Sequence, residues 1–153
     1  MTQPHTDAGA SGETIRLGPL TVRFLVTGHQ STGSVTVFEL MVPAAQRLMA
    51  PAHSHDHFEE TVYGLTGTLT WTIDGKPTEV GPGGLFCIRR GAVHRFDNNG
   101  SVDATALCII SPAALGPEYF LEAAEAMKAA RGGPPDRAKM VEIMLRHGLT
   151  PAA

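Results

Sequence analysis

The sequence predicts an all-β domain closed by two short helices, and three observations carry that reading. Between Thr21 and Ile110, seven or eight short runs rich in Val, Ile, Thr and Phe recur at even spacing with turn residues between them. Gly and Pro number 17 and 11, too many for a helical bundle and suited to a turn-rich sandwich or barrel. After Pro112 the period changes from two to 3.6, and the chain becomes alanine-rich.

In order, residues 1–14 read as a flexible polar tail, 15–112 as the β domain and 113–153 as a helical extension. Thr21–Val26 and Ser34–Val42 are strands, the second ended by Pro43. Thr61–Leu65 leads to a tight corner at Thr66-Gly67. Thr68–Ile73 alternates well, with Leu69, Trp71 and Ile73 on one side, before the hairpin signal Asp74-Gly75. Thr78–Val80, Leu85–Ile88 and Val93–Phe96 follow, each bounded by Gly, Pro or Asn, and Ala104–Ile110 reads as a strand buried on both faces. Pro117–Arg131 is a helix with apolar Phe120, Ala123, Ala124 and Met127. Asp136 caps a second helix carrying Met140, Ile143, Met144 and His147 on one face, with Gly148 beyond its end. These helices are expected on the outside of the β domain or against a neighbouring subunit.

At 153 residues and 16.2 kDa the chain is one domain's worth, and a net charge of −3 without Lys/Arg clustering argues against nucleic acid as a partner. The lack of a long apolar run argues against a membrane, and the polar N-terminus makes the cytoplasm the default location. Cys87 and Cys108 sit in apolar runs and read as buried thiols.

The chemistry is concentrated in residues 52–67. Three of the seven histidines, His53, His55 and His57, fall within five residues, followed by Glu59 and Glu60. On a strand His53 and His55 point the same way. Glu60 lies an odd step further on, so the turn-prone residues 56–59 must bend or bulge to bring it back. Two imidazoles and a carboxylate make an incomplete ligand set for a divalent metal, and His94 is the natural fourth donor. His57 falls in the bend and is read as a supporting or surface residue. Glu59 could stand in for Glu60. His5, His29 and His147 read as surface residues. Phe38, His57, Val62, Phe86 and Phe96 are candidates to line a substrate pocket, and Gly64, on the face of Glu60, would leave room for a ligand.

Two segments then resemble a known family. His53, His55, Glu60 and Gly67 fit H-x-H-x4-E-x6-G, similar to the first motif of the cupin superfamily. Gly83, Gly91, His94 and Asn98 fit G-x5-P-x-G-x2-H-x3-N, similar to its second, with Arg89 in the proline position and Arg47 where a glycine usually precedes the first histidine by six. The chain as a whole resembles single-domain cupins of the quercetin-dioxygenase-like kind.

That resemblance implies a cupin-type jelly-roll β-barrel, pairing as a homodimer, with one divalent transition metal on His53, His55, Glu60 and His94. Iron, manganese or nickel is favoured; zinc or copper is also compatible with the donors. It implies a dioxygenase-like oxidoreductase that chelates a small phenolic, flavonol or enediol substrate, with Glu60 as a base. A metal-dependent lyase or isomerase of a small acid or sugar, and a non-catalytic binding protein, are the other readings. Val62 stands where some cupin lyases carry a tyrosine base, which lowers the lyase reading.

Overall fold

The structure, a computed structural model, describes residues 12–47 and 51–153. Strands β1 (Thr14–Leu17), β2 (Leu20–Val26), β3 (Thr36–Val42), β4 (His53–His55), β5 (Glu59–Thr66), β6 (Leu69–Ile73), β7 (Lys76–Val80), β8 (Leu85–Ile88), β9 (His94–Asp97) and β10 (Ala104–Ser111) precede helices α1 (Pro117–Ala129) and α2 (Arg137–Arg146). A last short strand, β11 (Leu149–Pro151), follows them. The strands form two antiparallel sheets, ordered β1-β2-β3-β10-β5-β8 and β11-β4-β9-β6-β7. This is the all-β architecture with two C-terminal helices that the sequence predicts.

Alternation sets the faces. In β3, Thr36, Phe38, Leu40 and Val42 are buried while Met41 is exposed. Strand β10 corrects the expectation of burial on both faces: Ala104, Ala106, Cys108 and Ile110 are buried, but Leu107 and Ile109 are only half-buried. It is central in an antiparallel sheet whose outer side nothing among the described residues fully covers, so one face stays partly wet there. The same geometry corrects one thiol. Cys108 is buried, whereas Cys87 on edge strand β8 points outward and is exposed.

The Asp74-Gly75 turn joins β6 to β7 as expected, both residues having positive φ (48° and 78°), as a type I′ hairpin requires. Strand β7 starts earlier than its β-branched residues suggest, at Lys76, and includes Pro77. That proline is tolerated because β7 is a sheet edge. At the other end, β1 begins at Thr14, and the backbone N–H of Phe24 donates to the Glu13 carbonyl, so the ordered sheet reaches into the segment expected to be tail. The remainder of that tail, residues 1–11 with His5, lies outside the described residues.

The C-terminal extension is not an outer appendage. Phe120 of α1 packs on Phe24 and Phe38, with ring centroids 5.6 and 5.4 Å apart, so the helix is seated at the open end of the β structure and shares its core. Asp136 caps α2 by accepting from the Lys139 N–H. His147 is the C-cap of α2 rather than part of its apolar face. It is also no free surface residue, because its Nε2 contacts Glu122 of α1 at 3.2 Å. Beyond Gly148, β11 pairs with β4 in the register Leu149–His55 and Pro151–His53, adding an edge strand the sequence reading did not anticipate. No helix among the described residues is long and apolar enough to cross a membrane.

Candidate metal centre

The two sheets each contribute donors. From the five-stranded sheet come His55 on β4 and His94 on β9; from the six-stranded sheet comes Glu60 on β5, in register with Ile110 and Ile88. All three are buried, and one donor atom from each lies within 4.8 Å of the other two. The bend at residues 56–58 brings Glu60 to the histidines' side. It is pinned by Phe58, which is fully buried and stacks on the His55 ring at 4.1 Å. The only apolar residue among the polar ones between His55 and Glu60 was the signal for this role.

The hydrogen bonds fix the tautomers. His55 Nδ1 lies 2.9 Å from the Phe58 carbonyl, and His94 Nδ1 lies 3.0 Å from the Ala92 carbonyl. A carbonyl can only accept, so both Nδ1 atoms carry hydrogen and both neutral rings turn a bare Nε2 inward. Those nitrogens face the same oxygen, Glu60 Oε2, at 3.4 and 3.5 Å. Three acceptors converging in a buried site repel unless a cation lies among them, and two imidazoles with a carboxylate are the donor chemistry of a divalent transition metal. The residues therefore fit such an ion.

Without metal, a proton can take that role. Burial opposes charging either group, but it is outweighed: the imidazoles hold the Glu60 carboxyl well below the usual carboxylate range, and Glu60 raises His94. Cys108, buried on β10, is pushed well above its ordinary value by burial and further by the neighbouring Glu60, so it stays a thiol.

His53 is placed differently. It is half-buried, its ring centroid is 4.6 Å from that of His94, and its Nδ1 turns back to the Pro51 carbonyl at 3.3 Å. Its nitrogens stand outside the 4.8 Å group formed by the other three. Burial, reinforced by His94, lowers its pKa to about 4, so the ring is neutral near pH 7.

The remaining sequence candidates separate cleanly. Phe38 and Phe96 line a small cavity of about 90 Å³ whose wall includes His53, Glu60 and His94. Three others do not line it: His57 is exposed, Val62 is fully buried in the core, and Phe86 packs edge-on against Trp71 at 5.5 Å. Glu59 points away and pairs with Arg90 at 2.9 Å. Arg89 is exposed and lines neither this cavity nor its neighbour. His29 is exposed. Gly64 makes no room for a ligand: a Cβ there would stand 2.0 Å from the Gly81 carbonyl oxygen, so the missing side chain admits backbone. Sequence reasoning missed Trp71, Tyr119, Phe120 and Leu149 as cavity walls, because three of them arrive from the extension.

The motif residues that bind no metal are structural. Gly91 donates its N–H to the His55 carbonyl, anchoring β4. Buried Asn98 donates through Nδ2 to the Val42 and Val102 carbonyls at 3.0 and 2.9 Å and accepts from Gly100.

Residues 39–110 match the family described as Cupin domain. The fold is a cupin fold. Among solved structures, a protein described as a predicted oxalate decarboxylase from Thermotoga maritima is similar at 19% identity, covering 73% of this chain and 99% of that one with a TM-score of 0.60. KdgF from Halomonas sp. is similar at 12% identity, 65% and 86% coverage and a TM-score of 0.56. A sugar phosphate isomerase from Silicibacter pomeroyi is similar at 19% identity with a TM-score of 0.54; the match covers 62% of this chain and only 60% of that one. No curated protein matches the chain in sequence. These likenesses show the fold.

Proposed function

We propose that this cupin is a mononuclear metal enzyme of dioxygenase type acting on a small phenolic or enediol substrate. The observation that supports it is the convergence of the His55 and His94 Nε2 atoms on a Glu60 carboxylate oxygen beside an aromatic cavity. His55, Glu60 and His94 would hold the ion, and a modest swing of the His53 ring supplies a fourth donor. A bound divalent transition ion provides Lewis acidity and, as iron, manganese or nickel, one-electron chemistry with dioxygen. The chain's own residues do the rest. Glu60 is placed to take the proton of a substrate hydroxyl. Phe38, Trp71 and Phe96 exclude water and accept the flat face of an aromatic ring. Among the described residues the lining has one permanent cation, Arg95, and its guanidinium is engaged by Asp97 at 2.8 Å. That favours a phenolic substrate over a sugar phosphate.

The test is elemental analysis of protein purified without chelator, then oxygen uptake by iron-, manganese- and nickel-loaded protein with catechols and flavonols. Uptake that is lost in His94→Ala is expected. Turnover only under anaerobic conditions would move the assignment to a lyase or isomerase, and ligand binding without any product would leave a binding protein.

A further inference from the structure

Two cavities adjoin at the end of the barrel closed by the C-terminal extension. The inner one, at the candidate metal centre, is about 90 Å³. The outer one is about 550 Å³ and lies between the β1–β2 turn, both helices and the last residues of the chain. Leu17, Leu20, Pro51 and Tyr119 face both, so these four side chains are the partition.

Size decides how the two relate. Small-molecule sites run from about 300 to 1,000 Å³. The inner cavity falls far below that range and holds only a few heavy atoms; the outer one falls inside it. A substrate of ordinary size that brings oxygen to Glu60 and the histidines must continue through the partition. The outer wall is mostly apolar, with Pro19, Met127, Met140 and Val141 among its residues. Polar groups mark the way in: Tyr119, one of the four partition residues, carries a hydroxyl. Trp71, in the inner wall, has a buried indole N–H without a partner, which an acceptor oxygen on the incoming group would satisfy. Most of the outer wall comes from residues outside 39–110, so this chamber is built by the terminal segments of this chain around the cupin core.

We infer that the two cavities form one site for an amphipathic molecule, with an oxygen-bearing head at the His55–Glu60–His94 centre and an apolar tail in the outer chamber. The head rests on the metal reading given above; the tail does not.

The experiment uses two ligand series followed by calorimetry. 4-Alkylcatechols from methyl to octyl are titrated into the zinc-loaded full chain, and n-alkanols of the same lengths into the metal-free chain. Affinity should rise about fourfold per added methylene until the chamber is full, the equivalent of about 0.8 kcal/mol per buried CH₂. Ala152→Trp, which fills the chamber from the C-terminal side, should flatten both series while leaving zinc affinity within about twofold; Val141→Trp is a second way to fill it. If unsubstituted catechol binds the zinc protein but tail length has no effect, the inference is overturned and the metal reading stands. If catechol does not bind at all, the metal reading fails and the alkanols decide the chamber: a length-dependent gain lost in Ala152→Trp supports it, and a flat series overturns it.

Discussion

The metal-free centre should leave a signature in how stability depends on pH, and its sign follows from two histidines shifted in opposite directions. Burial, with help from His94, lowers His53 to about 4 from an ordinary 6.5. The unfolded chain then takes up a proton between pH 6.5 and 4 that the folded chain refuses, so stability falls as pH drops through that window. At about 1.4 kcal/mol per pH unit the loss is at most about 3 kcal/mol. For His94, burial also favours the neutral ring, but the Glu60 carboxylate outweighs it and raises the folded pKa. Its contribution is complete below 6.5 and is lost as pH rises through the raised value. These two groups thus give the chelated protein a stability maximum near pH 6.5. Bound metal reverses the alkaline limb: the ion occupies the Nε2 lone pair, protons compete with it, and metal-dependent stabilisation grows with pH. The assay is urea unfolding from pH 4.5 to 8.5, with chelator and with excess zinc, on wild type and Glu60→Gln. The Glu60→Gln variant should lose the alkaline decline, since nothing then raises His94. Wild-type stability that climbs from pH 6.5 to 8.5 in chelator, or an alkaline limb unchanged in Glu60→Gln, would refute the pairing of Glu60 with His94.

Three further outcomes are expected. Zinc at about 100 times its Kd should stabilise the protein by ~2.7 kcal/mol, or about 5–10 °C in Tm for a chain of this size; His55→Ala and His94→Ala should abolish that shift in thermal melts, and His57→Ala should keep it. Leu149→Ala should cost about 2–5 kcal/mol in chemical denaturation, because the side chain is 2% exposed. It should also weaken zinc binding in calorimetry, because Leu149 pairs with His55 and backs the strand that carries it. Gly64→Ala should cost about 1–3 kcal/mol by the same denaturation measurement, since its Cβ would meet the Gly81 carbonyl and disturb the hydrogen bonds linking Gly64 to Gly83 and Gly84; a neutral result would show that the 81–84 turn can move away.

Much of this architecture was legible because its causes are local. Period-two alternation marked the central strands, Asp74-Gly75 marked its hairpin, and Asp136 marked the start of α2. The candidate donors His55 and Glu60 were legible for a related reason: the bend needed between them is written in a short stretch of chain, whereas His94 stands on a separate strand and His53, also expected as a donor, falls outside the group. What escaped depends on contacts between distant segments. No pattern within Leu149-Thr150-Pro151 announces a strand; those residues extend because β4 offers an unpaired edge. Gly64 invited a ligand on paper, but the space beside it belongs to a turn about seventeen residues further on.

The same division bears on selectivity. The candidate donors lie within residues 39–110, the span that matches the Cupin domain family, whereas Tyr119, Phe120 and Leu149, which narrow the inner cavity, come from the segment after it. β11 and the Gly91 N–H hold β4 from two sides, so the extension that shapes access to the cavity also holds one of its donors in place. Its loss should therefore disturb the site before any substrate is considered. A chain cut after Ser111 would retain all three donors in sequence, yet it would lack the partner strand of His55 and the Phe120 ring between Phe24 and Phe38. It should bind metal weakly and without preference for tail length, whereas the 153-residue chain should bind metal tightly and respond to tail length.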